Sequence, residues 1–465
     1  MFVRLQGFWW RTLSAQCHLL KETFLYRNVV MTDSVSPNPQ RVLELFEQMT
    51  ARDSWLSRLR PPGAAFSRVR IYSLGVVIRL MILQRLLARF SLSCAVQHLA
   101  RMQANVGAGA KRISTAAGGY CRARQKLPTL VAIQVFEKMS EHLRGWLPRN
   151  PVLKGSAVYV LDGTTLQVPH APELVKAYPP PRNQHGRSHW PLIRMVVLQE
   201  VQTGLALRPH WGPMTASEQA LALQAIPYLP ATAVLLGDRN FGVFGVAWAA
   251  HQRGHGVLLR LTQDRAEHLA GGPVECPLDR RISWQPTRWD RCGGPYSEGV
   301  VLEGRLLCLP ASQPAYPQPL YFFTTLDLSP EQIRDLYDLR WNVETDLRSI
   351  KRTVHLQELS ARSTAMLEKE LFLALAAYNL VRAVICLAAE KAGVPPRRIS
   401  FTNVYTLVET FSEDLQADDP QTIHATWRYV IGLAAEYKLP NRSKPRSFPR
   451  AVWPRPKTYP AKHSP

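Results

Sequence analysis

Tyr337, Arg340, Glu344 and Lys351 stand in the segment LYDLRWNVETDLRSIK, residues 336–351. At about 100° per residue, one helix would gather these four side chains within a stripe about 60° wide, with Arg348 at its border. Leu336, Leu339, Val343, Leu347 and Ile350 fall on a separate seam, at about 200–280° on the same wheel. Such a helix buries the seam and presents one carboxylate, three cations and a phenol at a cleft edge. A solvated face carrying Arg340–Glu344 and Glu344–Arg348 ion pairs would show the same spacing.

Two further carboxylates bear on that choice. Asp162 closes the apolar run in VYVLDGTTL, and Asp238 closes the one in LLGDRNF. Taken singly, each fits a turn. On neighbouring strands their ends would meet, and strand C-terminal ends are where α/β sheets hold ligands. Three carboxylates in a basic cleft suit Mg2+, which prefers oxygen donors and keeps places for water and phosphate. Two such ions clamp the attacking and leaving oxygens of an in-line phosphoryl displacement. Neighbouring Arg and Lys would hold nucleic-acid phosphates, and the Tyr337 phenol can donate to one. Arg239 could touch phosphate or pair with an acid.

These residues need elements to carry them. Ser329-Pro330-Glu331-Gln332 is a strong helix start, and helix is expected from Ser329 to Lys391. SAVYVLDGTTLQV reads as a strand ending at Asp162-Gly163. PLIRMVVLQEVQTGLALRPHW reads as two strands joined by a turn at Thr203-Gly204. A helix with Thr215 and Glu218 at capping-box spacing follows, then a buried strand to Asp238, a helix over VFGVAWAAHQR, and the strand GVLLRL. Three antiparallel strands, then helix, strand, helix and strand, is the order of a ribonuclease-H-like α/β fold. Residues 262–320 break the rhythm as a β-rich insertion with RISW, a hairpin at Glu303-Gly304 within GVVLEGRLLCL, and LYFFTTL. Upstream, Leu74–Phe90 reads as one amphipathic helix and Ser93 as the cap of the next. Arg112, Arg122, Arg124 and Lys126 give this helical module a basic edge, for DNA contact or solvation.

The expected domains are a poorly structured extension over 1–40, a helical DNA-binding domain over 41–150, the catalytic domain over 151–395, and a C-terminal helical segment with a basic Pro-rich tail over 396–465. Met31 opens MTDSVSP, a more natural start, so residues 1–30 read as an upstream extension from a misassigned start codon. The tail from Lys438 carries eight Lys or Arg and no acid, which suits a flexible arm. The sequence shows no internal repeat.

Across 465 residues, 57 Lys and Arg against 35 Asp and Glu leave a net charge of +22, a surface that attracts polyanions. Arg79, Arg85 and Arg89 interrupt the apolar stretch 71–90, which argues against a transmembrane helix. The N-terminus has no clean apolar core for a signal peptide. Seven dispersed cysteines without a CxxC pair read as reduced thiols. His185 and His189 share helical ligand spacing, but YPPPRNQ before them argues for a loop rather than a zinc site.

Together, VYVLDGTTL, LLGDRNF and Tyr337-x2-Arg340-x3-Glu344-x6-Lys351 resemble the DDE transposases of bacterial insertion sequences, specifically the Y-R-E-K signature of the insertion-sequence-four family. ISTAAGGYCRARQKLP and the β-rich insertion match that family too, and the resemblance spans roughly residues 60–460. It implies that Asp162, Asp238 and Glu344 bind two Mg2+ ions, for which Mn2+ can substitute. It implies that Tyr337, Arg340, Arg348, Lys351 and Arg239 contact DNA. It implies end cleavage through a hairpin, joining to target DNA, a homodimer on paired ends, and a bacterial cytoplasmic, nucleoid-associated setting. The family's hairpin step uses an aromatic side chain of the insertion to hold a flipped base, and Trp284 and Trp289 lie there, although either also suits a core. The competing readings are a transposase-derived DNA-binding protein without catalysis and a structure-selective nuclease of the same fold.

Overall fold

The computed structural model describes residues 71–87, 91–104, 113–144, 153, 155–183, 186–288, 290, 299–311, 318–411 and 420–440. The expected extension over 1–40, most of the basic tail, Arg112, His185 and Trp289 lie outside the described residues.

Eight strands form one mixed sheet: β1 (Val158–Gln167), β2 (Leu192–Glu200), β3 (His210–Pro213), β4 (Val234–Gly237), β5 (Gly256–Leu261), β6 (Leu278–Trp284), β7 (Leu302–Leu309) and β8 (Leu320–Thr324). Their order across the sheet is β3-β2-β1-β4-β5-β8-β7-β6. The first three pair antiparallel, and β1, β4 and β5 run parallel. The expected mixed α/β architecture is therefore present. The β-rich insertion continues the sheet beyond β5 through antiparallel β8, β7 and β6.

Thr203-Gly204 turns as expected: Gly204 sits at φ +77°, where a side chain would be strained. The hairpin expected at Glu303-Gly304 is absent, because β7 runs straight through both residues, paired to Ser283 and Ile282. Gly304 instead makes room for the Phe323 ring, which a Cβ would meet at 2.5 Å. The loop expected around His189 agrees with the described residues there, where Arg182–Asn183 and Gly186–Arg187 pair antiparallel.

The sheet is buried on both faces, which explains why β1 reads as a continuous apolar run. Val158 and Val160 face a core that includes helices α1 (Leu74–Leu86), α3 (Gly118–Lys126), α4 (Thr129–Arg144) and α11 (Thr364–Ala392). Tyr159 and Leu161 face a second core under α6 (Glu218–Ala225) and α7 (Phe244–His251). Helix α11 is long and apolar enough to cross a membrane, yet 94% of its most apolar window is buried inside the protein. Leu371, Phe372, Leu375 and Val381 on it are fully covered. Each such side chain contributes about 1.5–3 kcal/mol on burial, so this helix is a main source of stability.

The helix α1 that reads as amphipathic is buried on nearly all sides, and Arg85 goes inside with it. Its guanidinium reaches Glu370 on α11 at 3.0 Å. Arg124, expected on a basic edge, reaches the same carboxylate at 2.6 Å. Ser360 donates to Glu370 through both its N–H and its hydroxyl. One acid thus ties α1, α3 and α11 together, and long-range partners of this kind leave no mark on local sequence. Capping also differs by a residue or two from expectation. Ser91, not Ser93, accepts from Cys94 N–H at the start of α2 (Leu92–Ala104).

Candidate active site

Asp162 and Asp238 come together as expected. Leu161 pairs with Gly237 in parallel register, so each acid is the next residue after a paired position on adjacent chain segments. Asp162 does not end its strand, as the sequence suggested. Strand β1 continues to Gln167 against β2, while its other partner, β4, stops at Gly237. Asp162 therefore sits where the sheet loses one neighbour, at the mouth of a notch. Its Oδ1 accepts from Gly163 N–H at 2.8 Å, and Asp238 Oδ1 accepts from Asn240 N–H at 2.8 Å.

Burial pushes the Asp162 carboxyl up to about 6. The negative charges of Asp238 and Glu218 push the same way, and the Gly163 N–H and Arg340 pull against them. The notch is thus a place where negative charge is crowded and partly stripped of water.

The third acid arrives on a broken helix. Ser329 opens α9 (Pro330–Asp338) with a complete capping box to Gln332 and Pro at its first turn, as the sequence indicates. The single helix expected through 351 does not form. The chain tightens at Leu339–Arg340, where Arg340 N–H bonds Tyr337 O and Val343 N–H bonds Arg340 O, three residues back. Helix α10 (Trp341–Arg348) then restarts, and a π-helical turn follows over Ser349–Thr353. The calculated stripe therefore holds within each segment but not across the joints.

Glu344 is exposed on α10, and Arg340 Nη2 approaches its Oε1 at 3.4 Å. Arg340 is thus shared between Glu344 and the field of Asp162. The expected convergence of three acids is incomplete. Among the described residues no group of three His, Cys, Asp or Glu side chains could hold a metal ion. The physical reason is plain: three carboxylates repel one another, and here a guanidinium supplies the counter-charge.

The apolar seam is where the sequence put it, with Leu336, Val343, Leu347 and Ile350 buried and Leu339 packed against the core. Tyr337 joins them. It is 4% exposed, and its ring meets Phe322 edge-on at 4.7 Å. Its hydroxyl finds no hydrogen-bond partner by strict geometry among the described residues. Burial raises its pKa, against the pull of Arg340 and Arg260. So Tyr337, expected on the exposed stripe, lies beneath Arg340 rather than beside it. Arg348 and Arg239 are exposed, and Lys351 is half-buried, its pKa lowered by burial and by Arg352.

Three features near the acids were not legible as such. Trp341 is 57% exposed, with the Arg340 guanidinium 4.9 Å from its ring. Trp284, by contrast, is a core residue, 3% exposed against Phe323 and Phe244. Glu218 looks like half of a capping box with Thr215, but Ser217 is the cap, accepting from Ala220 N–H at 3.1 Å. The freed Glu218 carboxylate turns towards Asn240 and Arg194. Asp346, two residues past Glu344, is fully buried and accepts from both Arg382 and Arg397. Arg397 also donates to Val201 O and Glu200 O, and Asn342 donates to Val201 O. This buried knot fixes α10 to the end of β2, and thereby places Glu344.

Residues 153–380 match the family described as transposase DDE domain. The chain is 28% identical over 350 residues to transposase InsG of insertion sequence element IS4 from Escherichia coli strain K12, covering 73% of this chain and 77% of that one. A crystal structure of endonuclease V from Bacillus subtilis aligns over 49% of this chain and 94% of its own length, with 12% identity and a TM-score of 0.21, too low to carry an argument.

Proposed function

We propose, given that the chain belongs to the DDE transposases of the insertion-sequence-four type, that it binds the terminal inverted repeats of its own element, cuts them and joins them to target DNA. The observation that carries this reading is the Asp162–Asp238 pair on adjacent strands, linked through Arg340 to Glu344. A ribonuclease-H-like core is consistent with the order β3-β2-β1-β4-β5, in which three antiparallel strands lead into two parallel ones.

A divalent cation fits the Asp pair. The donors are oxygens, they are crowded, and burial, helped by the charges of Asp238 and Glu218, has raised Asp162 to about 6, a cost that a bound cation offsets. Asp162, Asp238 and Glu344 would hold Mg2+, with Glu344 leaving Arg340 to do so. Once bound, the metal supplies Lewis-acid activation of a phosphoryl oxygen and of the attacking hydroxyl. The remaining work belongs to the chain. Arg340, released from Glu344, and the exposed Arg348 and Arg239 neutralise phosphates beside the scissile bond, with Lys351 at the margin. Tyr337 supports Arg340 from below, its ring 5.8 Å from the guanidinium. Trp341 offers an open indole face on which an extruded base can stack, the role that a hairpin intermediate needs and that buried Trp284 cannot fill.

The helices upstream of residue 150 and the C-terminal tail extend the DNA contact, in keeping with the net charge of +22. Joining two ends requires two active sites, so the working form is a dimer on DNA. The setting is the bacterial cytoplasm, where the element's DNA lies. The test is Asp162→Ala, assayed on a duplex carrying the DNA that borders the gene. It retains end binding and loses strand cleavage in Mg2+. Cleavage at the wild-type rate would overturn the assignment.

A further inference from the structure

Glu218 stands at the first position of α6, immediately after its cap. Its Oε2 accepts from Asn240 Nδ2 at 2.5 Å. The next residue, Gln219, donates to the Asn240 backbone carbonyl at 2.9 Å and to its Oδ1 at 3.0 Å. Asn240 N–H in turn donates to Asp238 Oδ1. Towards β1, the Glu218 carboxylate fills the space above Gly163, where an added Cβ would stand 2.5 Å from its Cδ. Gly163 N–H donates to Asp162 Oδ1. Arg194 on β2 lies 3.8 Å from Glu218 Oε1, and its Nη1 donates to Ala216 O, steadying the start of the helix. One side chain therefore touches the residue after Asp162 and the residue two after Asp238.

We propose that Glu218 is a positioning residue: through Asn240 and the gap left by Gly163, it sets how Asp162 and Asp238 face each other to receive a divalent cation. The inference rests on the reading of those two acids as the metal-binding pair. It explains why a glycine follows Asp162, since any side chain there would drive the carboxylate away. It also explains why Asn240 is held by two consecutive residues of one helix.

The test uses the full chain and Mn2+ alone, titrated by electron paramagnetic resonance, with thermal melting recorded for every variant. Glu218→Ala and Asn240→Ala each weaken Mn2+ binding about 10–100-fold, the usual effect of losing a group that orients metal ligands. The double variant binds no more weakly than the worse single one, because both act on one contact. Glu218→Gln, whose amide oxygen takes over acceptance from Asn240, recovers most of the affinity and stands in for the alanine variant should that melt early. Wild-type affinity in Glu218→Ala, additive losses in the double variant, or no recovery in Glu218→Gln would overturn the proposal while Asp162→Ala still loses Mn2+. If Asp162→Ala binds Mn2+ as wild type does, the metal-pair reading falls and takes this inference with it.

Discussion

Asp346→Asn isolates the knot that holds the Glu344 helix in place. The native carboxylate accepts from Arg382, and from Arg397 through Nη1 at 2.6 Å and Nη2 at 2.8 Å. All three side chains are buried or nearly so. The amide keeps the volume but loses the charge, and it turns an N–H2 towards two guanidinium groups. Breaking a buried ion pair from one side costs about 3–5 kcal/mol, since the cations left behind cannot be re-solvated. Arg382 retains the Tyr378 hydroxyl, and Arg397 retains Val201 O and Glu200 O. Those partners hold the expected loss to the lower half of that range, about 3–4 kcal/mol. Against a total stability of about 5–15 kcal/mol, urea unfolding will show this clearly as a lower midpoint. Near-neutral conditions should also show slower DNA cleavage at unchanged DNA affinity, because Glu344 sits two residues away on the loosened helix. A stability change within about 0.5 kcal/mol, the range of ordinary surface substitutions, would refute the reasoning.

Two other perturbations test separate parts of the account. Glu370→Gln should cost about 3–5 kcal/mol near neutral pH by leaving Arg85 and Arg124 unpaired. Burial alone would raise the Glu370 pKa, but the two arginines hold it below its ordinary 4.5. Its contribution is therefore full above 4.5 and is lost as pH falls through the folded-state value, so the gap between wild type and variant must narrow on acidification. Denaturant titrations at a series of pH values check this; a gap that widens on acidification would contradict it. Trp341→Ala should leave stability within about 0.5 kcal/mol, the indole being largely exposed. It should cost about 1–3 kcal/mol of base stacking, read as a fall in hairpin-ended product on gels; unchanged hairpin yield would remove Trp341 from the mechanism.

The residues that the sequence disclosed were those with local signals. Asp162 and Asp238 each follow an apolar run, and strand adjacency then brings them together. The Ser329-Pro330 start and the leucine seam of α9 and α10 are likewise written in short-range pattern. What stayed hidden depends on partners far along the chain. Asp346 reads as one more surface charge until Arg382 and Arg397, 36 and 51 residues on, close over it. Arg124 reads as part of a basic edge until Glu370, 246 residues away, draws it inside. Trp284 and Trp341 cannot be ranked by type, because tertiary packing decides that one is core and the other open. The break at Leu339–Arg340 also escaped, since nothing in LYDLRWNV carries a glycine or proline to announce it. Tyr337, on the near side of that break, lies in the core rather than on the stripe.

The central claim is that Asp162, Asp238 and Glu344 share a divalent cation when the protein engages DNA. The most direct measurement is the anomalous scattering of Mn2+ in crystals of the full chain with a duplex from the element's border. The account predicts a Mn2+ peak about 2–2.2 Å from oxygens of Asp162 and Asp238, with Glu344 turned from Arg340 to join them. A peak elsewhere, or Glu344 still resting on Arg340 beside an occupied Asp pair, would contradict it.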